Sequence, residues 1–389
     1  MRKMLISSVL VLFVSAAAQA VRGPSTAPSK TTLAMTPPMG WNSWNRFGPH
    51  ISDKLIRAQA DAMAASGMKA AGYEYINIDE GWEGQRDASG VLHPNRNFPD
   101  MKALADYVHS KGLKIGIYSS PGPKSCGNFE GSFGHEQQDA KMFAAWGMDY
   151  LKYDWCTAGT VYQQDQYPLA IRKMSAALAA TGRPIVYSIH GRGAVWLYAA
   201  QEGANLWRTT GDIQDNYARM LAVGFGQEGL ERFARPGHWN DPDMLEIGNG
   251  GMSAKEYRMQ MSLWSLLAAP LIAGNDLTRM TPETLSILTN PEVIAIDQDA
   301  LGQQGYIAME QGPIVLMVKA LKDGSRAIGL FNREQGNVHI TVDFSKIGLH
   351  ENASVRDLWQ RKNLGTFHRN FSAEVPEHGV VLVRIANSR

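Results

Sequence analysis

The sequence predicts an α/β protein, a (β/α)₈ TIM barrel followed by a C-terminal antiparallel β-sandwich domain. Eight short apolar segments alternate with helical periods, and charged or aromatic side chains follow most of those segments. The eight units occupy about 270 residues, which suits a closed barrel of roughly 250 residues. After about Gly305, apolar and polar residues alternate instead, which predicts the second, antiparallel domain.

The N-terminus has the pattern of a secretory signal. Arg2 and Lys3 precede an apolar run from Leu5 to Ala18, and Ala18-Gln-Ala20 fits the small-x-small cleavage rule. We therefore expect cleavage after residue 20, a flexible lead-in over residues 21–32 and a secreted or periplasmic protein. A retained membrane anchor is the alternative, but the run is short and rich in small residues.

Composition and charge exclude several classes of function. Of 389 residues, 44% are hydrophobic and 19% charged, as in an ordinary globular protein. Removal of the signal leaves 36 basic and 37 acidic residues, so there is no electrostatic basis for nucleic-acid binding. No later segment is long and apolar enough to span a bilayer, so no membrane contact is expected after cleavage.

The barrel is predicted over residues 33–305. Ser52 is expected to cap a helix that carries Leu55, Ile56 and Met63, and the spacing from Met101 to Val108 predicts another helix. A doubly wound sheet is the alternative, but it would need a glycine-rich phosphate loop after the first strand, and Met39–Trp44 is not one. The strands are expected near Met39, Ile76, Ile115, Leu151, Val186, Leu206, Trp239 and Leu271.

The antiparallel domain is predicted over residues 306–389. Asp323-Gly324 is a hairpin signal between the apolar segments Ile314–Val318 and Ala327–Phe331. Beyond them, Val338, Ile340 and Val342 alternate with polar residues, and Val380–Ile385 closes the chain in the same way. These segments together predict a β-sandwich.

The segment Tyr150–Asp154 directs attention to one end of the barrel. Lys152 and Asp154 interrupt an otherwise apolar strand, and a charge at the carboxyl end of a buried strand needs a reason. A structural Lys–Asp pair is one reason, and chemistry is the other, since active sites of such barrels lie at that end. Acids and aromatics follow most of the other strands: Trp41, Trp44, Asp79, Glu80, Tyr118, His190, Arg208, Asp212, Asp241 and Asp243.

Carboxylates together with tryptophans favour a sugar site. Carboxylates accept hydrogen bonds from hydroxyls, while indole rings cover the C–H face of a sugar. Glycoside hydrolysis also needs two carboxyls beside the scissile bond, although the residues alone do not select the pair. The sequence contains no H-E-x-x-H, P-loop, EF-hand or G-x-S-x-G motif, so we expect neither a metal nor a cofactor.

Two cysteines, Cys126 and Cys156, are present. In an exported protein a pair of cysteines favours one disulfide, and two buried free thiols are the alternative. A structural zinc site is excluded, because two cysteines without paired histidines do not complete a tetrahedron.

Five blocks, in order along the chain, resemble the signatures of family 27 glycoside hydrolases, which include α-galactosidases and α-N-acetylgalactosaminidases. The resemblance extends from about Leu33 through Asp297–Gly302, and the C-terminal region fits the family more loosely. The blocks are Met39–Trp44, Asn77–Glu80, Tyr150–Asp154, Trp207–Ile213 and Trp239–Leu245.

The resemblance implies an exo-acting enzyme that releases terminal α-D-galactose with retention, by double displacement. It places the nucleophile at Asp154 and the acid/base at Asp212, with the two carboxyls about 5–5.5 Å apart. It also implies that Cys126 and Cys156 form a disulfide beside the site. The sugar-binding positions that it implies are Trp44, Asp79, Glu80, Tyr118, Cys126, Lys152, Cys156, Arg208 and Asp243, with His190 in place of a residue near the 2-hydroxyl.

Three positions depart from the family pattern. Glu80 stands where most α-galactosidases carry aspartate. Either its extra methylene crowds C6 of galactose, or a backbone adjustment accommodates it without effect. A β-L-arabinopyranosidase is therefore the alternative function, because arabinopyranose has no C6. Ser188–Arg192 replaces a common Cys-Glu-Trp, which leaves the contact at His190 open, and Trp155 is either a wall for the leaving group or a packed core residue.

A non-catalytic sugar-binding protein is a further alternative, which the second acid at Asp212 argues against. A homo-oligomer is compatible with the sequence, and the natural substrate is not specified by it. Asn352 and Asn370 begin glycosylation sequons, which matter only in a eukaryotic secretory route.

Overall fold

The computed structural model describes residues 33–388. The predicted signal and lead-in fall outside them, so cleavage after Ala20 stays a prediction. The barrel begins with β1 (Met39–Asn42) and β2 (Tyr75–Asn77), followed by an inserted hairpin of β3 (Glu83–Arg86) and β4 (Leu92–Pro94). It continues with β5 (Lys114–Ser119), β6 (Tyr150–Asp154), β7 (Val186–His190), β8 (Leu206–Arg208), β9 (Trp239–Asp241) and β10 (Leu271–Ala273).

All eight predicted barrel strands are present and pair in parallel, in the order β10-β1-β2-β5-β6-β7-β8-β9. The two ends of the sheet meet beyond β9, where Leu245 bridges Ala273 of β10. Leu245 N donates to the Ile272 carbonyl at 2.8 Å, and Gly274 N donates to the Leu245 carbonyl at 2.9 Å. This contact closes the curled sheet, so the carboxyl ends of all eight strands share one rim.

The helices alternate with the strands, as the apolar periods predict. Leu55 N donates to Ser52 Oγ at 3.3 Å, which confirms the predicted cap. Ser253 and Glu256 form a capping box, in which each satisfies a backbone N–H of the first turn. The helices are α1 (Trp44–Phe47), α2 (Asp53–Ala65), α3 (Met101–Ser110), α4 (Glu136–Trp146), α5 (Tyr167–Ala180), α6 (Tyr217–Phe225), α7 (Ala254–Leu267), α8 (Pro282–Leu288) and α9 (Pro291–Asp297).

The C-terminal region is an antiparallel β-sandwich, as predicted. A six-stranded sheet has the order β11-β12-β13-β18-β15-β16, and a two-stranded sheet pairs β14 with β17. Apolar residues of both sheets, such as Val318, Ile328, Val342 and Phe371, form one core. The strands are β11 (Tyr306–Gln311), β12 (Ile314–Ala320), β13 (Arg326–Asn332), β14 (Val338–Asp343), β15 (Asn352–Asp357), β16 (Lys362–His368), β17 (Asn370–Val375) and β18 (Gly379–Asn387).

A buried lysine of the sandwich, Lys319, is bonded to the barrel. Its ammonium donates to the carbonyls of Ser265 at 2.9 Å and Ile296 at 2.6 Å, near the C-terminal ends of α7 and α9. Helix C-termini attract cations because their last carbonyls lack partners. Lys319 thus fixes the sandwich against the side of the barrel.

Within residues 33–388, no helix combines the length and apolar character needed to cross a bilayer.

Candidate active site

Every residue predicted for the site lies at the carboxyl ends of the barrel strands or in the loops that follow them. Lys152 and Asp154 are in β6, His190 ends β7 and Arg208 ends β8. In the paired register, Asp154 lies directly opposite His190. Parallel strands deliver these side chains to one rim, so residues far apart in the chain meet there.

The first charged pair in the rim joins Asp79 to Lys152. The Asp79 Oδ2 atom lies 2.7 Å from Lys152 Nζ and also accepts a hydrogen bond from Asn42 Nδ2 at 2.8 Å. Burial disfavours the ammonium, but the nearby carboxylates of Asp79 and Asp154 outweigh it and raise the pKa of Lys152. Lys152 therefore remains a cation inside the barrel mouth, with donors available to a hydroxylated ligand.

Asp154 contacts side chains from the two strands that flank its own. Its Oδ1 lies 2.9 Å from His190 Nδ1, and its Oδ2 accepts a hydrogen bond from the Tyr118 hydroxyl at 3.3 Å. The two atoms are close, although His190 Nδ1 is not aligned for a regular hydrogen bond. Burial alone would raise the pKa of Asp154, but His190, Lys152 and Arg208 together lower it to about 2. The carboxylate is thus ionised at neutral pH.

Arg208 joins two further carboxylates. Its Nη2 lies 2.9 Å from Asp243 Oδ2 and 3.1 Å from Asp212 Oδ1. Asp243 is fixed from several sides, since its carboxylate also accepts from the backbone N–H groups of Ile213 and Met244. Its backbone has φ 91°, which is unusual for a residue other than glycine. Such a conformation costs about 1–3 kcal/mol and recurs at functional sites.

Asp212 differs from the other acids in its exposure. Its side chain is 78% exposed, whereas that of Asp154 is 16% exposed. Arg219 Nε donates to the Asp212 carbonyl at 2.6 Å, which fixes the backbone of this loop. Asp212 is therefore a positioned carboxylate that is open to solvent and able to exchange protons with it.

A disulfide joins Cys126 to Cys156, so the loops after β5 and β6 are covalently linked beside Asp154. The Tyr118 hydroxyl lies 3.1 Å from Cys156 Sγ. Glu80 supports the same loop, because its Oε2 accepts a hydrogen bond from Gly127 N at 2.8 Å. Burial raises the pKa of Glu80, partly offset by hydrogen bonds from Ser125 and Gly127. The Glu80 carboxylate is thus engaged by the disulfide loop.

The turn after Asp79-Glu80 requires a glycine. Gly81 has φ 110°, and a side-chain Cβ at this position would lie 2.8 Å from the Pro49 carbonyl oxygen. Only a residue without a side chain fits this backbone conformation and this close approach. The glycine thereby allows the two acids to turn into the rim directly after the strand.

The two tryptophans in question have different environments. Trp44, in the α1 turn, is half-buried, and its backbone N–H donates to Asn42 Oδ1 at 2.8 Å. Trp155 is only 5% exposed and packs edge-on against Tyr167, with ring centroids 4.6 Å apart. The packing interpretation therefore holds for Trp155, while Trp44 remains accessible at the rim.

Within residues 33–388, one group of potential ligand atoms is compact enough to hold a metal ion, namely Cys126, Asp154 and Cys156. Both cysteines are consumed in the disulfide and cannot serve as thiolate ligands. The chemistry of this donor set does not suit a metal.

Two rim carboxylates were not predicted as site residues. Asp241 lies beside a cavity of about 30 Å³ that is also lined by Lys152 and Arg208, and burial raises its pKa. Glu246 is 3% exposed and bonded to two asparagines, Asn45 and Asn249. Asp241 could be recognised from the sequence as an acid at a strand end. Glu246 could not be recognised, because its contact with Asn45 joins positions that are far apart in the chain.

Comparisons with known proteins agree with this architecture. Residues 36–299 match the family model described as "Alpha galactosidase A", and residues 311–385 match "Alpha galactosidase C-terminal beta sandwich domain". The α-galactosidase A of Cellvibrio japonicus is 44% identical over 381 residues, covering 91% of this chain and 93% of that protein.

Two solved structures share the fold over nearly the whole chain. α-Galactosidase I from Mortierella vinacea superposes with a TM-score of 0.88 at 36% identity, covering 92% of this chain and 99% of that one. A β-L-arabinopyranosidase from Geobacillus stearothermophilus gives a TM-score of 0.84 at 26% identity, covering 93% and 100%.

Proposed function

This chain belongs to the α-galactosidase family, family 27 of the glycoside hydrolases, and from that membership we propose that it releases terminal α-D-galactose with retention. It is a glycosidase, so the alternative of a non-catalytic sugar-binding protein is not retained. The setting of Asp154 carries the proposal. A half-buried carboxylate kept ionised by His190, Lys152 and Arg208 is what a glycosidase nucleophile needs.

In the first step, an oxygen of Asp154 attacks the anomeric carbon while the bond from that carbon to the leaving oxygen breaks. Asp212 donates its proton to the leaving oxygen, and the product is a glycosyl ester of Asp154. Formation of the ester removes the negative charge of Asp154, which makes the ionisation of Asp212 more favourable. The solvent exposure of Asp212 supports this role, because the residue must exchange a proton in each cycle.

In the second step, Asp212 acts as a base. Its carboxylate takes a proton from water, the water oxygen bonds to the anomeric carbon, and the ester bond breaks to restore Asp154. Two inversions give α-galactose as the first product. The contact of Arg208 with Asp212 supports the required proximity, since Arg208 also lies close enough to lower the pKa of Asp154.

The sugar-binding roles are part of the proposal. We assign ring hydroxyls to the Asp79–Lys152 pair and to the Arg208–Asp243 pair, and the C–H face of the sugar to Trp44. We assign the remaining side of the sugar pocket to Tyr118, His190, Glu80 and the Cys126–Cys156 disulfide. These pairs support the assignment because they present fixed donors and acceptors toward one rim.

The alternative substrate is a β-L-arabinopyranoside. It is favoured by the extra methylene of Glu80 and by the shared fold with an arabinopyranosidase. Against it, Glu80 is 2% exposed and its carboxylate is bonded to Gly127 N in the disulfide loop. Because the Glu80 carboxylate is bonded to the disulfide loop, it is not free to extend into the space where C6 of galactose would lie. We therefore retain galactose as the substrate.

The test compares nitrophenyl α-D-galactopyranoside with nitrophenyl β-L-arabinopyranoside in the same buffer. The proposal predicts a larger kcat/KM for the galactoside and α-galactose as the first product by NMR. A preference for the arabinoside would select the alternative, and β-galactose as the first product would contradict retention.

Glu80→Asp examines the C6 argument. If the glutamate crowds C6, the shorter side chain raises the galactoside to arabinoside ratio by about tenfold, since one methylene of misfit is worth roughly 1–3 kcal/mol. If Glu80 serves the disulfide loop, as its bond to Gly127 indicates, the ratio stays constant and the melting temperature falls. The two outcomes separate a specificity role from a supporting one.

We also propose that the protein is exported, which the N-terminal pattern and the disulfide support. Homo-oligomerisation stays a prediction, and the sequence leaves the use of the Asn352 and Asn370 sequons open.

A further inference from the structure

Glu246 is a buried carboxyl group that the proposed mechanism does not use. It directly follows Leu245, the residue that closes the barrel sheet. Its Oε1 accepts a hydrogen bond from Asn45 Nδ2, and its Oε2 accepts one from Asn249 Nδ2 at 2.7 Å. Asn45 is the neighbour of Trp44 in the α1 turn. Glu246 thereby ties the turn that carries Trp44 to the loop that follows β9.

The contact with Asn249 can exist in two forms. Asn249 Oδ1 is buried and has no hydrogen-bond partner among the described residues, while its Nδ2 donates to Glu246 at 2.7 Å and to the Gly274 carbonyl at 3.4 Å. The two ends of an amide are nearly the same size, so a half-turn of the group exchanges donor for acceptor. A protonated Glu246 would then donate its O–H to Asn249 Oδ1. The half-turn gives up the long bond to Gly274, and Glu246 and Asn249 are then hydrogen-bonded to each other in either protonation state of the glutamate.

The charges around Glu246 favour a change of state near neutrality. Burial raises its pKa to about 7, and the carboxylates of Asp215 and Asp243 add to this rise, against the hydrogen bonds from Asn249 and Asn45. The neutral neighbour Gln260 accepts from Glu246 N through its Oε1 at 3.0 Å. The other ionisable groups near these elements are Arg46, exposed on α1, Arg208, paired with Asp243, and Tyr257, which donates to Asp215.

We propose that Glu246 is a positioning residue for the Trp44 side of the sugar pocket, and that its protonation, with a turn of the Asn249 amide, loosens that side at acidic pH. The inference rests on the proposed function, in which Trp44 covers one face of the galactose ring. An ionised carboxylate accepts charge-assisted hydrogen bonds, which are roughly twice as strong as neutral ones. Protonation weakens the bond to Asn45, and the α1 turn is then less firmly fixed.

The consequence is a pH dependence of binding that is separate from that of the chemical steps. Glu246 has no contact with Asp154 or Asp212, so its state should alter galactose affinity and leave kcat unchanged. We expect KM for nitrophenyl α-D-galactopyranoside, and the inhibition constant of free galactose, to rise about fivefold from pH 8.5 to pH 5.5, the effect of roughly one weakened hydrogen bond. The galactose constant reports binding alone.

Glu246→Gln provides the first test. Glutamine is neutral at all pH values and can satisfy both asparagines, so it imitates the protonated form. At every pH, the inhibition constant of galactose for this variant should equal the value that the wild type has at pH 5.5, and kcat should be unchanged. Glu228→Gln, at an exposed position on the same barrel, is the matched control and should keep the wild-type profile.

Asn45→Ala provides a second test, which does not alter the titrating group. It removes the link from Glu246 to the α1 turn, so the galactose constant should be raised and independent of pH. The titration of Glu246 should still be detectable as a pH dependence of the melting temperature. A carboxyl with a raised pKa in the folded state favours folding below its unfolded pKa, and this contribution is lost as pH rises through about 7. Glu246→Gln should lack that component, and Asn45→Ala should retain it.

The outcomes separate this inference from the proposed function. If the wild type hydrolyses the galactoside but Glu246→Gln keeps the full pH dependence of the galactose constant, the positioning role is wrong. The same holds if Glu246→Gln lowers kcat and leaves the galactose constant unchanged. If Glu246→Gln does not fold, a pH-dependent galactose constant in Asn45→Ala overturns the inference. If the wild type hydrolyses no galactoside at any pH, the proposed function fails and this inference fails with it.

Discussion

The two proposed catalytic carboxylates occupy opposite kinds of environment. Asp154 is 16% exposed and lies among Tyr118, His190 and Lys152, whereas Asp212 is 78% exposed and is contacted by Arg208 at 3.1 Å. We refer to the first group as the nucleophile corner and to Asp212 with Arg208 as the acid/base corner. Both corners belong to one rim, but Asp154 ends strand β6 between β5 and β7, whereas Asp212 lies in the loop after β8.

The difference corresponds to what each residue has to do. A nucleophile must be ionised before every attack, and the contacts with His190, Lys152 and Arg208 lower the pKa of Asp154 to about 2. An acid/base must gain and lose a proton in each cycle, which requires access to water. The low exposure of Asp154 and its neighbours Lys152 and Arg208 thus suit a nucleophile. The high exposure of Asp212 and its contact with Arg208 suit an acid/base.

The largest expected effect comes from Asp154→Asn. Asparagine keeps the shape of the side chain but cannot form the glycosyl ester, so kcat/KM should fall by roughly 10⁴–10⁶-fold, as for loss of other enzymatic nucleophiles. The melting temperature should be maintained, because Tyr118 can still donate to the amide oxygen. Hydrolysis of nitrophenyl α-D-galactopyranoside measures the first effect, and retention of near-full activity would refute the assignment.

Asp212→Asn should have the second largest effect. Loss of a general acid and base costs about 10²–10⁴-fold. The loss should be smaller for a nitrophenyl galactoside than for an alkyl galactoside, since nitrophenolate leaves without a proton. An equal loss for both substrates would place the general acid elsewhere.

Azide distinguishes the two corners by the product it yields. In Asp212→Ala the glycosyl ester still forms, and azide attacks it to give α-galactosyl azide. In Asp154→Ala azide attacks the substrate directly from the opposite face and gives the β-azide. NMR of the products reads the anomer, and exchange of the two anomers would reverse the roles of the corners.

His190→Gln should have the smallest effect. His190 contributes to the low pKa of Asp154, so its removal should raise that pKa. Because Asp154 acts in its ionised form, the acid limb of kcat/KM should then move to higher pH, with less than about a tenfold change at pH 7. His93→Gln, at a site where the side chain is 60% exposed, is the control. If the acid limb does not move in His190→Gln, Lys152 and Arg208 are sufficient to keep the pKa of Asp154 low.

The sequence predicted the barrel well because its signals are local. The short apolar segments around Leu151 and Val186, and helix caps such as Ser52, can be recognised from a few consecutive residues. The structure has the corresponding strands and helix. The inserted hairpin of β3 and β4 was not predicted, because residues 83–94 lack the apolar alternation that marks a strand.

The site was predicted as a set of residues but not as a set of contacts. Acids at strand ends pointed to Asp154 and Asp212, and the family resemblance gave them roles. The pairing of Asp154 with His190 depends on which strands are neighbours in the sheet, and the bond from Glu80 to Gly127 depends on the distance between two loops. Glu246 was overlooked for the same reason, since its partner Asn45 lies about 200 positions away along the chain.

The most direct test of the nucleophile corner is to trap the glycosyl ester. A fluorinated galactosyl inactivator, which slows the second step, should label the enzyme once, and mass spectrometry of the peptides should place the galactosyl group on Asp154. Asp154→Asn should remain unlabelled, while Asp212→Ala should still be labelled. A label on Asp212, or on any residue other than Asp154, would contradict the account.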